Sequence, residues 1–287
     1  SALCRASRRL HAHHEAWAAS VGFDRNGPAR VRLSPVAAGR PAGPAARLTV
    51  AYEGTGFVGW ARQPGLRSVE GELRRALETV RREPTPLTVA GRTDAGVHAV
   101  AQVVSHQGEP ANPRAINALL PADMAVTASD SMPAGFDARN DATSRAYRYR
   151  LETSQIRPVE GRKSELWWPR TFDRQLLTAY AEQLVGRPDM TAFTPTNGRH
   201  VHFTRTVTHS EWHWTGSRGD FMIEADAFLH QMIRILVGTM LDFATAGKSP
   251  EEFAQLLSGR PRAEAGRTAP VHGLTLIGVG YGNSVLD

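Results

Sequence analysis

The 287-residue chain has a single cysteine, Cys4. That rules out an internal disulfide framework, a Cys-x-x-Cys metal site and thiol redox chemistry, and it fits a reducing compartment. Uninterrupted hydrophobic runs long enough to cross a bilayer are also missing. The most apolar stretch, FLHQMIRILVGTMLDF from 228 to 243, carries His230, Arg234 and Asp242, which a membrane core penalises. It reads as a buried helix in water. Acids are scarce at the start: residues 1–46 hold seven arginines against Glu15 and Asp24, so five of the six net positive charges lie there. The body is almost neutral, so net charge points to nucleic acid only if the body gathers its arginines on one face.

What is present in 1–46 is Ala, Arg, Pro and Gly without a sustained apolar period, and the segment reads as a disordered basic extension. A chain starting at Arg47 is therefore expected to fold by itself. The expected location is cytoplasmic, with an organellar one as the alternative if the Arg-rich segment is a transit peptide. His11, His13 and His14 have no carboxylate or cysteine partners nearby, so no dedicated metal site is expected of them.

From Arg47 the pattern alternates strands and helices. RLTVAY reads as a strand, and Ser68 caps a helix with Val69, Leu73, Ala76, Leu77 and Val80 on one stripe and arginines on the other face. LTVA and VAQVVSH are short apolar runs, and Asn112 with Pro113 announces a helix stopped by Pro121. A second half begins at 144. In SRAYRYRLE, Tyr147, Tyr149 and Leu151 share one strand face, and Arg148 and Arg150 share the other. Asp173 caps a helix bearing Leu176, Leu177, Tyr180, Leu184 and Val185 and closed by Gly186. A hairpin over TRTVTHSEWHWTG and DFMIEADAF precedes the apolar helix. Ser249 and Glu252 make a capping box, and GLTLIGVGY closes the chain as a strand. The expected class is α+β, in two related halves, 47–143 and 144–287.

Chemistry has to come from a few unusual placements. AGRTDAGVHAV, 90–100, sets Asp94 between Arg92 and His98, with glycines at 91 and 96. A turn explains it if Asp94 bonds its own backbone and the glycines supply positive φ. A mounted catalytic carboxylate explains it equally well. Arg234, on a helix that is apolar almost all round, must either snorkel to solvent or pair with an acid. Tyr147 either packs in the core or stacks on an unpaired base.

These residues resemble the tRNA pseudouridine synthases of the TruA type. GRTDAGVHA is similar to that family's catalytic signature. AYEGTGFVGWARQ, FDARNDATSRAYRYRL, FLHQMIRILVGTM and TAPVHGLTL are similar to its other motifs, in the same order over residues 47–282. Ala61 and Ile235 depart from the family pattern. Residues 193–207 keep only Phe193 and the Arg205-Thr206-Val207 landmark.

The resemblance implies a pseudouridine synthase fold with a central catalytic cleft, the Asp94 loop lying in the N-terminal half. It implies isomerisation of uridine to pseudouridine on the 3′ side of the tRNA anticodon stem and loop (tRNA positions 38 to 40), in a homodimer with no further protein partner. It makes Asp94 the catalytic nucleophile or base. Arg92 would hold the flipped nucleotide, Tyr147 would stack on the base, and Arg234 would pair with Asp94. His98 is carried as a substrate-side residue, although packing under the loop is its plainer role. Neither a metal nor an organic cofactor is implied. Attack on the sugar, attack on the base and removal of the 2′ proton all stay open as the role of Asp94. An RNA-binding module without the Asp94 chemistry, or a metal-dependent phosphoesterase, would be the rival classes.

Overall fold

The computed structural model describes residues 43–196 and 201–286. Cys4, the three early histidines and nearly all of the basic extension lie outside them. The described chain forms two compact units. One comprises residues up to Thr93, Ala99–Thr143 and the segment from Gly278, and the other comprises Asp94–His98 and Ser144–Ile277.

The first unit is an antiparallel sheet with two helices. Strand β1 (Ala45–Tyr52) runs between β4 (Met124–Met132) and β3 (His98–Gln107), and the two-residue β2 (Thr88–Val89) pairs with β3. Helix α1 (Val69–Arg81) begins where the Ser68 hydroxyl accepts from Gly71 N, and it buries Val69, Leu73, Ala76 and Leu77. Helix α2 (Pro113–Asn117) ends on Asn117, whose amide bonds both the N–H and the carbonyl of Val126 where the β4 register shifts. That side chain replaces ladder bonds the irregularity interrupts.

The second unit has β5 (Ser144–Glu152) between β9 (Leu274–Gly280) and β8 (Arg218–Ala225), with β7 (Val207–Thr215) beyond β8 and the short β6 (Leu166–Trp167) parallel to β5. Helix α3 (Arg174–Glu182) starts at Asp173, whose carboxylate accepts from Gln175 N. Helix α4 (Met232–Ala246) is buried nearly all round, and α5 (Pro250–Gln255) carries the Ser249–Glu252 capping box. Tyr180 stacks on Phe253 at 4.8 Å and meets Phe243 edge-on, joining α3, α4 and α5. Each such side chain contributes about 1.5–3 kcal/mol on full burial. Among the described residues no helix is long and apolar enough to cross a membrane.

The α+β class and most element positions follow the sequence pattern. Several details differ. The apolar helix begins at Met232, not at 228, because a turn from Leu229 to Met232 precedes it. Val185 is 51% exposed, since the stripe of α3 ends one turn earlier. The division of the chain also differs: the Asp94 loop groups with the second unit, and the end of β9 returns the chain to the first. Nor is the arginine face of α1 bare. Arg74 pairs with Glu78, Arg75 with Glu72, Arg81 with Glu83 and Arg67 with Asp123. Acids one helical turn away, for Arg74 and Arg75, and acids outside the helix, for Arg81 and Arg67, neutralise what composition alone presents as a cationic stripe.

Ala45 and Ala46 are fully buried and pair with Gln107 and His106 on one side and with Met132 and Ser131 on the other, so β1 starts two residues before Arg47. A chain beginning at Arg47 should unfold about 2–3 kcal/mol more easily than one beginning at Gly43, through lost ladder bonds and methyl burial. Thermal melts of the two read this directly. On β5, Arg148 has a buried Nε without a hydrogen bond, and the carboxylate of Asp220 lies 4.0 Å from it. Burial, then neighbouring Arg150, pushes its pKa down to about 10. Arg148→Met keeps the length and removes the desolvated charge, and it should stabilise the chain by about 1 kcal/mol or more in denaturant titration.

Candidate active site

The loop around Asp94 is held from both ends. On its N-terminal side, Gln102 Nε2 donates to the Gly91 carbonyl at 2.8 Å, and the Tyr52 hydroxyl bonds Thr93 Oγ1 at 2.8 Å. Trp60 N donates to the Thr93 carbonyl, and burial pushes the Tyr52 phenol up to about 12, so it stays a neutral hydrogen-bonding group. On the C-terminal side, Val97 N bonds the Asp94 carbonyl across a tight turn whose third residue, Gly96, has φ +82°. That is the left-handed position of a type II turn. Gly91, by contrast, is not in the positive-φ region.

Gly96 is required for a second reason. A Cβ there would lie 2.7 Å from Cγ1 of Val271. Val271 follows a stretch pressed against α4, where a Cβ on Gly238 would meet the Arg267 carbonyl oxygen at 2.0 Å. Three hydrogen bonds fasten this stretch. Ala269 N donates to the Arg234 carbonyl, Arg234 Nε donates to the Ala269 carbonyl at 2.8 Å, and the Tyr149 hydroxyl donates to the Pro270 carbonyl at 2.7 Å. Arg234 therefore acts on the loop through Ala269–Val271.

This corrects one expectation. No ion pair joins Arg234 to Asp94; the guanidinium Nε donates instead to the carbonyl of residue 269. The group beside Asp94 is instead His230, whose Nε2 lies 3.7 Å from Oδ1, with the two side chains 48% and 39% exposed. Nor does the Asp94 carboxylate make the local hydrogen bond of an Asx turn: the turn closes through the main chain. The acid is partly open to solvent.

The remaining residues fall as follows. Tyr147, on β5 opposite Ile223, is 8% exposed and packs edge-to-face with Phe228, ring centroids 5.1 Å apart. It belongs to the same unit as Asp94, Arg234 and His230. His98 is buried and gives its Nε2 to a hydrogen bond with the Lys163 carbonyl, which is the packing role and leaves little of the ring for a substrate. Arg92 is exposed, two residues before Asp94 in the chain. In the sequence His230 stands out only as an obstacle to membrane insertion. Its signal is the one that drew attention to Arg234, a polar ring in an apolar run.

Known proteins bear on this arrangement. The sequence profile described as tRNA pseudouridine synthase matches residues 180–282. A tRNA pseudouridine synthase A of Bacillus licheniformis is 36% identical over 245 residues, 83% of this chain and 99% of that one. The proteins of the same name from Syntrophotalea carbinolica and Frankia casuarinae are 39% and 40% identical, each covering 82% of this chain and 95% and 88% of their own. Identity at this level over nearly the whole described chain means that this protein belongs to the tRNA pseudouridine synthase A family.

Proposed function

We propose that the protein isomerises uridine to pseudouridine in the anticodon stem and loop of tRNA, with Asp94 as the catalytic carboxylate. The observation that carries the assignment is an acid mounted on a glycine-dependent turn, 39% exposed, whose own turn does not use its side chain. A charged side chain held in this way serves something outside the loop.

The reaction moves a sugar bond from nitrogen to carbon. We assign Asp94 the removal of the C2′ proton, so that the C1′–N1 electron pair leaves with uracil and a C1′–C2′ double bond forms. The uracil turns, C5 bonds to C1′, and Asp94 returns its proton to C2′. C5 then loses a proton and N1 gains one, which balances the isomerisation. Tyr147 is the assigned platform for the base and the relay for the C5 proton. Its slight exposure suits a fixed surface that a base covers. Extrusion of the nucleotide costs a few kcal/mol, which stacking, at about 1–3 kcal/mol per base, can offset. Arg92, exposed beside the loop, is assigned to the nucleotide's phosphate. Arg234 keeps a role in catalysis, exercised through the backbone it fastens.

Asp94→Asn should bind tRNA normally yet form no measurable pseudouridine, because the amide keeps the size of the side chain and loses its basicity. Tyr147→Phe should still bind and stack while releasing the C5 proton slowly. Tritium release from C5-labelled tRNA in single turnover, run beside filter binding, measures both. Wild-type release by Asp94→Asn would remove Asp94 from the chemistry.

We also assign the protein a homodimeric state, since tRNA is larger than one protomer and a two-fold axis extends the surface that meets it. Light scattering at assay concentration should give twice the chain mass. A fully active monomer would overturn this.

A further inference from the structure

We propose that His230 is the positioning residue of Asp94: its Nε2–H donates to Oδ1, so that the other carboxylate oxygen faces the sugar. The proposal rests on the reading of Asp94 given above. Two independent observations support it. The first is the 3.7 Å separation, which is within ion-pair reach and slightly longer than a hydrogen bond. Catalytic contacts are often this loose before substrate arrives and tighten in the complex.

The second is the backbone that puts His230 there. Among the described non-glycine residues only Arg82 and Gln231 have positive φ. Arg82 is the C-cap of α1, where the left-handed region is ordinary. Gln231, at φ +56°, precedes α4, where an N-cap is normally extended. Met232 N bonds the Leu229 carbonyl at 3.1 Å, so His230 and Gln231 are the two central residues of a tight turn. His230 thus stands at a corner and not on the buried helix. A glutamine held where side chains are disfavoured indicates a turn whose shape matters, and the group it presents is the imidazole beside Asp94. A base oriented by a third group is the arrangement that catalytic carboxylates and histidines share.

The test uses the full chain and unmodified tRNA, with His230→Gln, His230→Asn and His230→Leu. Gln places an N–H near the position of Nε2, Asn reaches only that of Nδ1, and Leu has none. A half-exposed corner should tolerate all three, and thermal melts check that it does. Leu and Asn are expected to slow single-turnover formation of pseudouridine about 10- to 100-fold, as a misplaced reacting group does. Their tRNA dissociation constants should stay at the wild-type value, and Gln should recover most of the rate. Equal rates in all variants overturn the proposal, as does equal loss in all three. A weakened dissociation constant that accounts for the loss would instead make His230 an RNA contact, which also overturns it. A wild-type chain that forms no pseudouridine overturns the underlying reading, and the role of His230 falls with it.

Discussion

The site depends on one close contact, the side chain of Val271 against Gly96. A left-handed glycine lets the loop turn directly after Asp94, and the missing Cβ admits Val271 to within van der Waals distance. Val271 can be there because the preceding stretch lies on α4 at a glycine, Gly238, where any side chain would strike the Arg267 carbonyl. Two glycines, 142 positions apart in the sequence, thus bring one piece of backbone between the helix and the loop. Interiors packed to crystal density have no slack at such points, so a methyl group at either would move the acid.

Charge is distributed by the same logic of local commitment. Most arginines of the α1 face are tied to acids on the same helix or close by, and Arg234 is tied to a carbonyl. The carboxylate at the centre of the site shares its surroundings with an imidazole. A guanidinium fixed to the backbone supplies rigidity, and the imidazole stands at a turn corner, 3.7 Å from the carboxylate. Reading Arg234 as support and His230 as partner divides between two residues what the sequence suggested for one.

Every feature whose cause is local can be read from the chain's own order of residues. Caps at Ser68, Asp173 and Ser249, the apolar stripe of α1 and the alternation of β5 arise from neighbours within one or two turns, and they stand in the structure as read. The turn at Asp94 was legible for the same reason, because a glycine two residues after an aspartate states its geometry in a short span. Which side chains meet is fixed by backbone packing across the fold. Whether Arg234 faces an acid or a carbonyl depends on where residue 269 runs, and that depends on Gly238 accepting its approach. Whether His230 sits on the helix or at its corner depends on a positive φ at Gln231, a residue type that announces no such turn. The start of β1 at Ala45 is of this kind too: two alanines after a proline carry no strand signal, and they are strand because β3 and β4 flank them. Propensity and periodicity report on a residue's neighbours in the chain, and a side chain's partner is set by backbone arriving from far along it.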